Sequence, residues 1–149
     1  MRRRRPSTTR PAVHNLLRPL PPAGLAAHGR SVSTTDLGSR GERIAAAYLT
    51  RAGLRVLDRN WRCRDGELDL VARDGDALVF CEVKTRRGTG FGHPAEAVTR
   101  IKQRRLRTLA QRWLAAHDEH AHELRFDVVA VLVGHSGPPE VTHLRAAFS

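Results

Sequence analysis

The segment from Gly66 to Arg86 constrains the fold more than any other in this chain. Two apolar runs, Leu68–Ala72 and Leu78–Val83, flank Asp74-Gly75-Asp76. Runs of this length read as strands, and Asp-Gly between them is a strong hairpin signal. Each run carries an acid that a core strand does not need: Asp69 in the first, Glu82 in the second, with Lys84 close behind. Burying a carboxylate is costly unless it is paired or bound to a metal ion. Residues two apart on a strand share a face, so Glu82 and Lys84 point the same way, as do Glu67 and Asp69. A two-residue turn at Gly75-Asp76 sets Asp69 directly opposite Glu82. A turn at Asp74-Gly75 sets them diagonally, still on one face. An unbulged three-residue turn would send them to opposite faces. Converging carboxylates beside a lysine suit a divalent-metal site that cuts phosphodiesters, with hard oxygen ligands for the ion and a cation beside the phosphate.

Charge points to the same kind of partner. The chain has 149 residues, a formal net charge of +11 and a pI near 11.4, which favours a polyanion, most simply nucleic acid. The excess is uneven. Residues 1–36 hold seven arginines against Asp36, a net +6, and the other 113 residues carry a net +5. The two cysteines, Cys63 and Cys81, give neither a disulfide framework nor a zinc motif. No apolar run approaches the roughly 18–20 residues of a membrane span. The Arg2–Arg5 cluster is followed by Pro, Ser, Thr and further Arg rather than by an apolar core, so no secretion signal is expected and the protein reads as cytoplasmic.

Residues 1–36 are expected to be a disordered basic extension, and residues 37–149 a folded domain. Three readings of the extension stay open: a dispensable stretch with translation starting nearer Val32, a non-specific nucleic-acid-binding arm, or a targeting segment. Helical spacing of Ile44, Ala45, Tyr48 and Leu49 predicts a helix from Thr34 or Thr35 to about Ala52, ended by Gly53. Strands are predicted at Leu54–Cys63, Glu67–Arg73 and Ala77–Thr85. A glycine-rich loop, Arg87–His93, leads to a second helix from Pro94 to about His117. Leu124–Val133 reads as a buried strand, and Val141–Leu144 as a short edge strand. The order predicts an α/β domain, a central mixed β-sheet flanked by helices.

These residues resemble a known family. The run Gly66-Glu67-Leu68-Asp69-Leu70-Val71-Ala72-Arg73-Asp74-Gly75, followed by Leu78-Val79-Phe80-Cys81-Glu82-Val83-Lys84-Thr85-Arg86, is similar to the signature of the bacterial YraN-like family. Gly41-Glu42, Arg59-Asn60-Trp61-Arg62, Phe91-Gly92, Lys102-Gln103 and Arg125-Phe126-Asp127-Val128-Val129 also match it. The resemblance covers about residues 37–149. It implies a restriction-endonuclease-like fold, akin to Holliday-junction resolvases, whose signature is a carboxylate followed by Asp/Glu-x-Lys. Leu68 stands where the wider superfamily often has proline.

The resemblance also implies roles. Asp69 and Glu82 would hold Mg²⁺ or Mn²⁺, with the Val83 carbonyl as a further ligand and Glu42 as an added one. Lys84 would orient or deprotonate the attacking water, or neutralise charge on the phosphorane. Taken singly, each has a plainer reading: Lys84 as a salt bridge to Asp69 or Glu82, Glu42 as a helix-face charge near a positive dipole end, Glu67 as a partner for an arginine. Arg86, Arg87, Lys102, Gln103, Arg104 and Arg107 would follow a phosphate backbone, DNA by expectation, or form a solvated face. His117, His120 and His122 stand in a polar stretch and are not expected to form a zinc site. The expected function is a metal-dependent endonuclease acting on structured or single-stranded DNA. The alternative is a non-catalytic nucleic-acid-binding module acting through a partner. A homodimer is compatible with the first, since two symmetric cuts require two sites.

Overall fold

The structure, a computed structural model, describes residues 33–88 and 98–149. The extension up to residue 32, most of the glycine-rich loop and the expected helix start at Pro94 lie outside the described residues. Helix α1 spans Thr34–Arg51, strand β1 Arg55–Cys63, β2 Gly66–Asp74 and β3 Ala77–Arg87. Helix α2 spans Arg100–Ala116, followed by β4 at Glu123–Val133 and β5 at Glu140–Phe148. The five strands form one sheet in sequence order. All neighbours are antiparallel except β3 and β4, which are parallel and joined through α2. This is the α/β class with a mixed sheet flanked by helices, and it is consistent with a restriction-endonuclease-like fold.

Local chemistry sets the boundaries. Ser33, one residue before the predicted start, caps α1: its hydroxyl accepts from the Asp36 N–H while the Asp36 carboxylate accepts from the Ser33 N–H. This reciprocal pair satisfies two otherwise orphaned donors. Gly53, at φ +92°, takes the left-handed conformation that ends the helix. Strand β5 runs well beyond the predicted Val141–Leu144. Its register with β4 shifts between Phe126 and Val128, and Ala146 sits at φ +48°. That irregularity lets the strand continue until Phe148 stacks on Phe126, with ring centroids 4.9 Å apart.

The sheet is covered on both faces. On the α1 side Ala45 and Leu49 pack against Leu70, Val79, Val83, Val129 and Val131. On the α2 side Leu106, Leu109 and Trp113 pack against Val71, Leu78, Phe80 and Val128. A parallel pair covered on both faces needs near-continuous apolar sequence, and β3 obeys this: Ala77–Val83 are all buried, and Glu82 is the one charged residue among them.

Gly41 sets how closely α1 approaches β3. A Cβ there would run into the Thr85 side chain. We expect Gly41→Ala to destabilise the fold by about 1–3 kcal/mol through overpacking, even though alanine is the better helix former by about 1 kcal/mol. Urea unfolding checks this, and an unchanged or higher midpoint would mean that the helix has room to spare.

Candidate metal centre

The hairpin fixes the central pair. The β2–β3 ladder runs from Leu70↔Cys81 to Asp74↔Ala77, so the turn is Gly75-Asp76. Gly75 has φ +58°, as the first central position of a II′-type turn requires. One step beyond the last ladder pair, the same register sets Asp69 opposite Glu82. There the backbone ladder stops, and the Asp69 carboxylate accepts the Val83 N–H at 2.8 Å. Asp69 is thus anchored to the strand that carries Glu82.

Electrostatics mark this as a strained cluster. The Asp69 carboxyl is pushed up to about 7, first by burial and next by the negative charge of Glu82, with Glu42 adding to the effect. Asp69 therefore senses two other carboxylates, of which only Glu82 faces it from an adjacent strand. Glu82 is held by cations. Lys84 Nζ lies 3.4 Å from Glu82 Oε1, and Lys102 Nζ from the first turn of α2 contacts the same oxygen. The Lys84 pKa is lowered, chiefly by its contact with Lys102 and then by burial. Burial also works against the charge on Lys102, but the bonds to Glu82 and Lys84 outweigh it and its pKa is raised.

Glu42 projects from α1 and accepts from Asn60 Nδ2 at 2.6 Å; the same amide reaches Glu67 Oε1 at 3.3 Å. Glu67 also pairs with Arg62 at 3.1 Å, so the plainer reading of Glu67 holds. Asn60 matched the family pattern in the sequence without a role. Its neighbours pair as Arg59↔Leu70 and Trp61↔Leu68, which sets Asn60 opposite Asp69, at φ +52°. Asparagine tolerates this left-handed conformation better than most side chains. An Asn inside a strand was the available signal. An open concavity of about 370 Å³ adjoins it, lined by Glu42 and Asn60 together with Arg43 and Arg59, two cations that sequence reasoning left unassigned.

The predicted phosphate-tracking residues divide. Arg86 and Arg87 are exposed at the end of β3, and Arg104 is exposed on α2. Lys102 is engaged by Glu82. Gln103 donates its side-chain amide to the Val98 carbonyl at 3.2 Å. Arg107 turns to the C-terminal strand, where it donates to the Ser149 carbonyl and lies over the Phe148 ring, 5.3 Å from its centroid.

The donor set suits a hard divalent cation: two carboxylates on facing strands, the Val83 carbonyl between Glu82 and Lys84, and Glu42 within electrostatic reach. Among the described residues, no three His, Cys, Asp or Glu side chains stand close enough together to hold an ion as they are placed. Both lysines contact Glu82 Oε1, so an ion at this carboxylate would meet their charge. His117 ring-stacks on Trp113 at 4.1 Å between centroids and belongs to no such group. Among the described residues, no helix is long and apolar enough to cross a membrane.

Comparison with known proteins is consistent in naming. The sequence model of a family described as "Uncharacterised protein family UPF0102" matches residues 41–131. A UPF0102 protein of Beutenbergia cavernae is 63% identical over 109 residues, 73% of this chain and 92% of the relative. One from Rhodococcus opacus is 58% identical over 112 residues, 75% of this chain and 95% of the relative. One from Streptomyces griseus is 56% identical over 110 residues, 73% of this chain and 92% of the relative.

Proposed function

The chain belongs to the uncharacterised protein family UPF0102, the same family as the YraN-like one, and from its site we propose that it is a metal-dependent endonuclease. It hydrolyses phosphodiester bonds in nucleic acid, structured or single-stranded DNA, in the cytoplasm. One observation carries this reading: Asp69, with its carboxyl pushed up to about 7, is held against Glu82 by a bond to the Val83 N–H. A core strand gains nothing from such a pair, and each acid in it works against an approaching phosphate to the extent that no cation offsets it.

Asp69, Glu82, the Val83 carbonyl and Glu42 would hold Mg²⁺ or Mn²⁺. The chemistry that such an ion supplies is polarisation of the phosphate and a lowered pKa for bound water. The chain's own residues do the rest. Lys84 shares the face of Glu82, where its Nζ would orient or deprotonate the attacking water or, as an ammonium, neutralise charge on the phosphorane. Asn60 holds Glu42 by hydrogen bond. Arg43 and Arg59 line the concavity beside them, and Arg86, Arg87 and Arg104 supply exposed cations for flanking phosphates.

A second reading has its own observation. Two lysines already neutralise Glu82, as they would in a nuclease-like module that binds nucleic acid without cutting it. Mobility-shift binding of labelled DNA separates the two. Under the first reading, Asp69→Asn leaves binding intact or about severalfold tighter, because a phosphate-repelling charge is gone, and Ca²⁺ tightens binding by the wild type. Under the second, binding is the same with Ca²⁺ and with chelator. Wild type that binds no nucleic acid under either condition would sink both.

A further inference from the structure

Glu82 Oε1 carries two ammonium groups. One is Lys84 Nζ at 3.4 Å, from its own strand, and the other is Lys102 Nζ, from the first turn of α2. The Glu82 side chain is 9% exposed, while those of Lys84 and Lys102 are 33% and 32% exposed. Asp69 has no side-chain cation in contact among the described residues, yet it feels the charge of Lys102. The two lysines bring two positive charges to an acidic pair, the charge of one divalent ion.

They are not equivalent. Lys84 is fixed to β3 and flanked by the buried Val83. Lys102 follows the exposed Ile101 on the outer turn of a helix, and its four-carbon stem can swing without disturbing the core. An ammonium in direct contact with Glu82 Oε1 takes up acceptor capacity of that carboxylate and repels a cation arriving there, so Lys102 and a metal ion compete for it. We propose that Lys102 is a displaceable counter-ion: it holds Glu82 in place when no ion is bound, competes with a divalent cation for that carboxylate, and is released to a nucleic-acid phosphate when the cation enters. This rests on the metal-dependent reading above and adds a coupling that links ion binding to substrate binding. Lys102 is thereby a positioning residue in one state and a phosphate contact in the other.

Mn²⁺ binding to the full-length protein, followed by the electron paramagnetic resonance signal of the free ion, tests it without any cleavage. Lys102→Gln removes the competitor and should tighten Mn²⁺ binding by about tenfold, the equivalent of one lost charged contact. Lys102→Arg keeps a cation on the same helix turn and should stay within about twofold of wild type. Asp69→Asn should weaken binding in both the wild-type and Lys102→Gln backgrounds. In a second arm, the salt dependence of DNA affinity is measured with Ca²⁺ and with chelator. Lys102→Gln should lower the slope by about one phosphate contact with Ca²⁺ and leave it unchanged with chelator. Asp69-dependent Mn²⁺ binding that is equal or weaker in Lys102→Gln would overturn the displacement and leave the metal site standing. Absence of any Asp69-dependent Mn²⁺ binding, in wild type and Lys102→Gln alike, would overturn the metal reading itself.

Discussion

Asp69→Asn should remove cleavage and at the same time make the protein more stable in mild alkali. The loss of activity is expected to reach about a thousandfold or more, because the residue would supply a metal-binding oxygen that acts on the reacting phosphate. The gain in stability follows from linkage. The free carboxyl titrates at 3.8, and the folded one is pushed up to about 7 by burial and by Glu82. The fold therefore favours the protonated form. The stability cost of ionising Asp69 begins as pH rises past the unfolded value and is complete above about 7. Asparagine has no such cost and still presents an oxygen to the Val83 N–H. Thermal melts of wild type and variant should lie closest near pH 4 and separate toward pH 8, with the variant higher by about 4 °C. A variant less stable than wild type at pH 8 would mean that Asp69 is satisfied there by a cation, and the strained-cluster argument would fail.

Asp127→Ala should be the most damaging single change to the fold. Asp127 is 1% exposed on β4, and four donors surround its carboxylate. Arg125 donates from Nε at 2.9 Å and from Nη2 at 3.0 Å, His143 Nε2 lies at 2.8 Å, and the Ala146 N–H donates at 3.0 Å. Burial alone would raise its pKa, but His143, Arg125 and the Ala146 N–H together hold it below the usual carboxylate value. Removing one partner from such a network leaves the others unpaired, at a cost of about 3–5 kcal/mol. A melting midpoint lower by about 10–20 °C is expected. A drop of only about 2 °C would show that the network is not what fastens β5 to the sheet. Asp127→Asn, which keeps the shape, should fall between wild type and Ala.

The hairpin was the most legible part of the structure. Asp74-Gly75-Asp76 between two apolar runs predicted the pairing of β2 with β3, and of the two favourable registers the structure adopts the one with Gly75-Asp76 in the turn. The side-chain period of two then brings Asp69 and Glu82 to one face. What the sequence could not show was which residues from distant elements complete the site. Lys102 reaches Glu82 only because α2 crosses from β3 to the parallel strand β4, a placement that no local pattern encodes. Asn60 was hidden because an Asn inside a strand does not by itself show that its amide meets Glu42 on another element. Asp127 carried the same signal as Asp69, an acid inside an apolar strand, and it serves the fold instead. Asp127 is enclosed by four donors, whereas the Asp69 carboxylate accepts one backbone N–H and otherwise faces another acid. Strand β5 runs past the predicted Leu144 because Phe148 stacks on Phe126, a contact between distant residues that no local pattern encodes.

The most direct test of the nuclease reading is cleavage by the wild-type protein itself. Full-length protein is incubated with end-labelled single-stranded, duplex, flap and four-way-junction DNA, in Mg²⁺, in Mn²⁺ and in excess chelator. The expected result is cutting of at least one structured or single-stranded substrate with either ion and none with chelator. Intact DNA in every lane, from protein that binds the same substrates, would contradict the assignment and leave the fold as a binding module.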